Sequence, residues 1–144
     1  MSSVLDLMFS SEKLKFVADG IKSAGILDIL EGEGPFTVFA PTDPAVAHAA
    51  AGKFKTIQKD NEKFRNLAKC HIVRGYYPTN VIIESLKKSD CLELTAVCGE
   101  KLTLKSSGFF RTHIWINGAT IVTGDLLADN GVVHTIDAVL FLHQ

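Results

Sequence analysis

The stretch INGATIVTGDLLADNGVVHTIDAVLFL, residues 116–142, constrains the fold of this chain more than any other. Two short apolar runs flank Asn117-Gly118, a pair that tolerates the positive φ a two-residue hairpin turn requires. A polar, helix-like segment follows and leads to a second Asn-Gly pair, Asn130-Gly131. A long apolar run over residues 132–142 then reads as a final strand. The chain therefore has to build antiparallel β-structure near its end.

Upstream the periodicity is helical. Residues 4–9 read as a short apolar helix or turn, and Ser10 as the N-cap of the next helix. Leu14, Val17, Ile21 and Ala24 recur at helical spacing and predict one buried stripe. Phe36 to Phe39 have the composition of a strand, ended by Pro41. Asp43-Pro44 predicts a helix start, with helix as far as Ala51. Asp60 is read as the cap of a helix burying Phe64, Leu67 and Ala68, and Thr79 as the cap of one running to Lys87. Residues 70–73 read as a strand, and two hairpins, around Gly99 and around Asn117-Gly118, follow. Helices first and strands last, without βαβ alternation, predict an α+β class.

At 144 residues the chain suits a single domain over 1–144, with enough core to need no staple. Hydrophobic residues make up 47% and charged residues 22%, a balance that argues against disorder. A net charge of −1 argues against a nucleic-acid binder. No apolar run is long enough to span a membrane, and the opening residues show neither the basic region nor the apolar core of a secretory leader. Cys70, Cys91 and Cys98 make an odd count, which argues against a disulfide framework. Cys70 is expected to be buried and unpaired, while Cys91 and Cys98 could pair.

Three ordered segments resemble the fasciclin domain. They are GPFTVFAPTD at residues 34–43, LAKCHIVRGYY at 67–77 and NGATIVTGDLLADNGVVHTID at 117–137. SAGILDIL at 23–30 fits the family's approach to its first box, so the likeness spans nearly the whole chain. It implies a two-sheet β-wedge with several helices packed on it. Cys70 replaces the aromatic of the family's Tyr-His pair, and Val46 replaces one that commonly follows the first box. Much of the matching sequence has a structural reading of its own. Phe36, Val38, Ile121, Val122, Val132, Val133, Ile136 and Leu140 read as core.

The family resemblance implies a monomeric, non-catalytic adhesion-type module that recognises a protein or a glycan at the cell surface or in the matrix. The alternative is a soluble intracellular (cytoplasmic) domain binding a small molecule or a protein. No phosphate loop, nucleophile elbow or zinc-ligand spacing is present, so neither enzyme, metal nor cofactor is expected. Two regions are candidate partner sites. Residues 53–74 hold seven basic residues against two acidic ones, and Lys59, Lys63 and Arg65 there suit an anionic partner, although a solvated helix face reads the same way. The second is His71 with Asp125 and Leu126. His71 is either a hydrogen-bonded structural residue or, by resemblance, part of a recognition surface. Asp125 with Leu126 stands where some animal fasciclin domains carry an Asp-Ile integrin-recognition sequence. It either serves a cation-dependent contact or caps a short helical turn over Leu126 to Ala128.

Overall fold

A computed structural model describes residues 3–24, 30, 34–49, 61–107 and 113–140. Its helices are α1 (Val4–Ser10), α2 (Lys15–Ala24), α3 (Asp43–Ala49), α4 (Asn61–Lys69) and α5 (Thr79–Lys88). Its strands are β1 (Phe36–Pro41), β2 (Ile72–Arg74), β3 (Leu92–Thr95), β4 (Lys101–Ser107), β5 (His113–Ile116), β6 (Ala119–Ala128) and β7 (Gly131–Ile136). The fold is α+β, as the sequence predicts.

The strands lie in the order β2-β1-β7-β6-β5-β4-β3. All neighbours are antiparallel except β1 and β7, which run parallel from Phe36 opposite Gly131 to Pro41 opposite Ile136. β6 serves both halves of the wedge. Ala119 and Thr120 pair with β5, while Ile121 to Ala128 pair with β7 through two register irregularities. Such irregularities bend a strand. The two ends of the sheet approach one another at an isolated bridge between Val73 and Ala96. The bridge leaves most of the outer edges of β2 and β3 unpaired, but both strands are short, which limits the row an edge strand presents to other chains.

Two apolar cores lie on opposite faces of β1 and β7. On one, Val4, Met8, Leu14, Ala18 and Ile21 of the N-terminal helical region meet Val38 and Val133. On the other, Phe39 and Ile136 meet Ile82 and Leu86 of α5 and the inner residues of β3, β4 and β5. The two Asn-Gly pairs hold this frame. Asn117 and Gly118 have φ of 44° and 91°, which suits the two-residue turn between β5 and β6. The Asn117 side chain also accepts a bond from the Thr103 amide at 2.7 Å, tying the turn to β4. Asn130 accepts from the Val4 amide at 2.9 Å and donates to the Leu30 carbonyl at 3.0 Å, which docks α1 against the turn before β7.

Several local expectations are corrected. The segment expected to turn helical after Val122 is the second half of β6, and Val122 is exposed rather than core. Ser10 ends α1 instead of capping α2. Cys70 and His71 form a turn after α4, with β2 beginning at Ile72. The final strand stops at Ile136. Asp60 and the expected helix beyond Ala49 lie outside the described residues.

Candidate functional site

β6 and the loop 75–78 create the most distinctive surface. The register break in β6 places Asp125 at a φ of 60°, bulged out of the ladder beside Gly124. A Cβ at Gly124 would meet the Thr79 methyl at 2.6 Å, so only glycine lets the bulge close against α5. The Asp125 carboxylate accepts a bond from the Thr79 amide at 2.7 Å, and its other oxygen accepts from the Thr79 hydroxyl. Asp125 therefore caps a helix, but that helix is α5, distant in sequence. The helical turn it was expected to cap, over Leu126 to Ala128, is strand. An acidic group at the N-terminus of α5 also complements the helix dipole.

His134 completes the brace. Its Nδ1 accepts from the Asp125 amide at 3.1 Å, and its Nε2–H donates to the Tyr77 carbonyl at 2.8 Å. The ring is fully buried and packs against Phe39 at 5.6 Å between centroids. Burial lowers its pKa below the usual 6.5, against smaller upward pulls from the Tyr77 carbonyl and Asp125. Thr37 joins the same network, donating to the Gly75 carbonyl at 2.8 Å and accepting from the Tyr77 amide at 3.0 Å. The loop 75–78 is thus fixed to β1 and β7.

His71 plays the same part elsewhere, with the opposite tautomer. Its Nδ1–H donates to the Leu67 carbonyl at 2.8 Å, and its Nε2 accepts from the Leu140 amide at 2.9 Å. It is buried, and desolvation lowers its pKa to about 4, partly opposed by the Leu67 bond. Both ring nitrogens are spent on backbone. The ring borders a cavity of about 40 Å³ lined otherwise by apolar residues of α2, α3, α4 and β1, with Val139. That is roughly three times the space one water molecule needs, far below an ordinary ligand pocket.

The predicted site residues are therefore not one cluster. His71 ties α4 to the C-terminal segment, whereas Asp125 ties β6 to α5. Leu126 is half-buried and packs on the first core, while Lys63 and Arg65 are exposed on α4. Lys59 lies outside the described residues. Around the Asp125 brace three large apolar residues are exposed beside the polar Thr123 and Asp125: Val122 and Leu127 on β6 are 57% and 53% exposed, and Tyr76 in the loop 75–78 is 47% exposed. Sequence reading missed Thr79 as the partner of Asp125. The one available signal was Gly124 inside a strand-like run, which marks a bulge or close backbone approach.

Cysteine pairing is also corrected. Cys70 is buried but bonded to Cys98, with Cα atoms 5.0 Å apart, and Cys91 is the free thiol. The turn after α4 carries Cys70 to the end of β3, a juxtaposition across 28 residues that spacing alone does not reveal. Among the described residues, no group of three or more His, Cys, Asp or Glu side chains could hold a metal ion. No described helix is long and apolar enough to cross a membrane.

Comparison with known proteins agrees with this architecture. An uncharacterized protein of Synechocystis sp. is 28% identical over 142 residues, covering 99% of each chain. The transforming growth factor-beta-induced protein ig-h3 of Sus scrofa is 29% identical over 140 residues, 97% of this chain but 19% of that protein. The solved structure of a FAS1 domain pair from the insect cell adhesion molecule fasciclin I superposes with a TM-score of 0.81 at 17% identity, over 98% of this chain and 51% of that one. The family pattern of the fasciclin domain matches residues 12–142, and the chain belongs to the fasciclin domain family.

Proposed function

We propose that this chain is a non-catalytic, adhesion-type binding module that recognises a protein partner outside the cytoplasm, at a cell surface or in a matrix, through the rim of β6 and the loop 75–78. The observation that carries the reading is the exposure of Val122, Leu127 and Tyr76 around a rigidly braced bulge. Exposed apolar and aromatic side chains on a fixed frame bury area on binding without a large ordering cost. Two further facts support it. The solved relative is a cell adhesion molecule, and the Cys70–Cys98 disulfide suits an oxidising compartment more than the cytosol. A catalytic reading has little support. The imidazoles of His71 and His134 are both neutral and fully bonded to backbone, so neither is available as a base.

The second reading is recognition of an acidic glycan through α4, favoured by the exposed cations Lys63 and Arg65. A solid-phase assay against immobilised heparin and against biotinylated cell-surface proteins separates the two. Glycan binding through α4 weakens strongly from low to physiological salt, because exposed charges are screened over about 8–10 Å. It is lost when Lys59, Lys63 and Arg65 are changed to Ala together. Protein binding through β6 is insensitive to that variant and is lost with Leu127→Asp. Binding that survives both variants rules out both surfaces.

A further inference from the structure

The two ends of the seven-stranded sheet meet at a seam with very little backbone pairing. β1 and β7 share six register pairs, and β3 and β4 share four. β2 meets the residue just after β3 in the isolated Val73–Ala96 bridge, with a bond from the Val97 amide to the Ile72 carbonyl at 2.8 Å beside it. The disulfide spans the same seam: Cys70 lies two residues before β2 and Cys98 three after β3. We propose that Cys70–Cys98 is a redox-sensitive clasp, which holds the edges of β2 and β3 together when oxidised and releases them when reduced, leaving the remainder of the wedge folded.

The placement sets the direction of attack. Cys70 is fully buried, while Cys98 is partly exposed. A reducing dithiol therefore attacks through its thiolate at Cys98 Sγ, forming a mixed disulfide there and expelling Cys70 as a thiolate, which takes up a proton. The second thiol of the reductant then displaces Cys98 as a thiol and closes a disulfide within the reductant. Two electrons and two protons pass to the protein, and the dithiol is oxidised. Opening the seam exposes the edges of two short strands, which is where sheets recruit further strands. β2 leads directly into the loop 75–78, but the clasp is argued from the seam alone and stands whether or not that loop binds a partner.

Amide hydrogen exchange on the whole chain, oxidised and after treatment with dithiothreitol, tests the clasp. The Val97 amide reports the seam, through its bond to Ile72. The adjacent Ala96 amide bonds to the Glu100 carbonyl within the β3–β4 hairpin, and the Thr42 amide bonds to Ile136 in the central frame. The expected result is an increase of about tenfold or more in Val97 exchange on reduction, with Ala96 and Thr42 unchanged. Unoxidised Cys98→Ser should match the reduced protein. If that variant does not fold, reduced and alkylated wild type provides the same comparison. Unchanged Val97 exchange on reduction overturns the proposal. So does a common rise at Val97, Ala96 and Thr42, because the disulfide would then support the whole fold rather than the seam.

Discussion

The central strands and the hairpin stack treat their residues differently. β1 and β7 are buried at every position, whereas β3 and β5 alternate between inside and outside, and β6 is half-buried or exposed past its first residue. A strand covered on both faces has to satisfy each polar side chain internally, because an unpaired buried polar group costs about 1–3 kcal/mol. Thr37, His134 and Thr135 in β1 and β7 all meet that condition. A strand covered on one face is free of it, and Val122 and Leu127 stand exposed on β6. Polar side chains of β1 and β7 in the family's boxes thus serve the frame, and the outward side of β6 is the surface proposed above for recognition.

The largest expected effect tests the covered half. Phe39 is fully buried and packs on His134, so Phe39→Ala should cost about 3–5 kcal/mol by denaturant unfolding. A cost under about 1 kcal/mol would mean the second core does not close on β1. Acid is the next. Histidine in the unfolded chain takes up its proton near pH 6.5, but His71 in the folded chain does so only near pH 4. Between these values the unfolded state binds more protons, so stability is full above about pH 6.5, falls as the pH drops, and levels near pH 4. His71 alone accounts for up to about 3 kcal/mol of that loss, at 1.36 kcal/mol per unit, and His134 adds in the same direction. Unfolding midpoints measured from pH 7.5 to 4 should show the decline, and an NMR titration placing the His71 ring near its ordinary value would contradict it.

Smaller effects sharpen the contrast on β6. Asp125→Asn retains one acceptor for the Thr79 amide but loses the charge at the start of α5, so a loss of about 1 kcal/mol is expected in thermal unfolding. Leu127→Ser, one register position from the buried contacts of Leu126, should change stability by less than about 0.5 kcal/mol. A loss above 2 kcal/mol at Leu127 would show that this face is covered within the molecule rather than left for a partner.

Much of this frame is legible in the sequence because its signals are local. Asn117-Gly118 announces its hairpin, the Leu14–Ile21 stripe its helix, and Phe36 to Phe39 its strand. The rest depends on approaches between distant segments. Nothing local reveals that β1 runs parallel to β7, that Asp125 reaches α5, or that Cys70 meets Cys98. The Asp125 misreading follows from the same limit: Gly-Asp before Leu-Leu-Ala fits a helix start, and only the pairing of residues 126–128 with β7 makes it a bulge in a strand. Val122 fits the apolar pattern of its strand, yet the register breaks of β6 leave it outside.

The most direct test of the claim that the box residues brace the frame is a double-mutant cycle between Thr79→Val and Asp125→Asn, read by urea unfolding. The Thr79 hydroxyl bonds to the Asp125 carboxylate, a charge-assisted contact for which a coupling energy of about 1–2 kcal/mol is expected. A coupling within about 0.3 kcal/mol of zero would mean that the Thr79 hydroxyl does not hold Asp125 to α5, and that carboxylate oxygen would return as a group available to a partner.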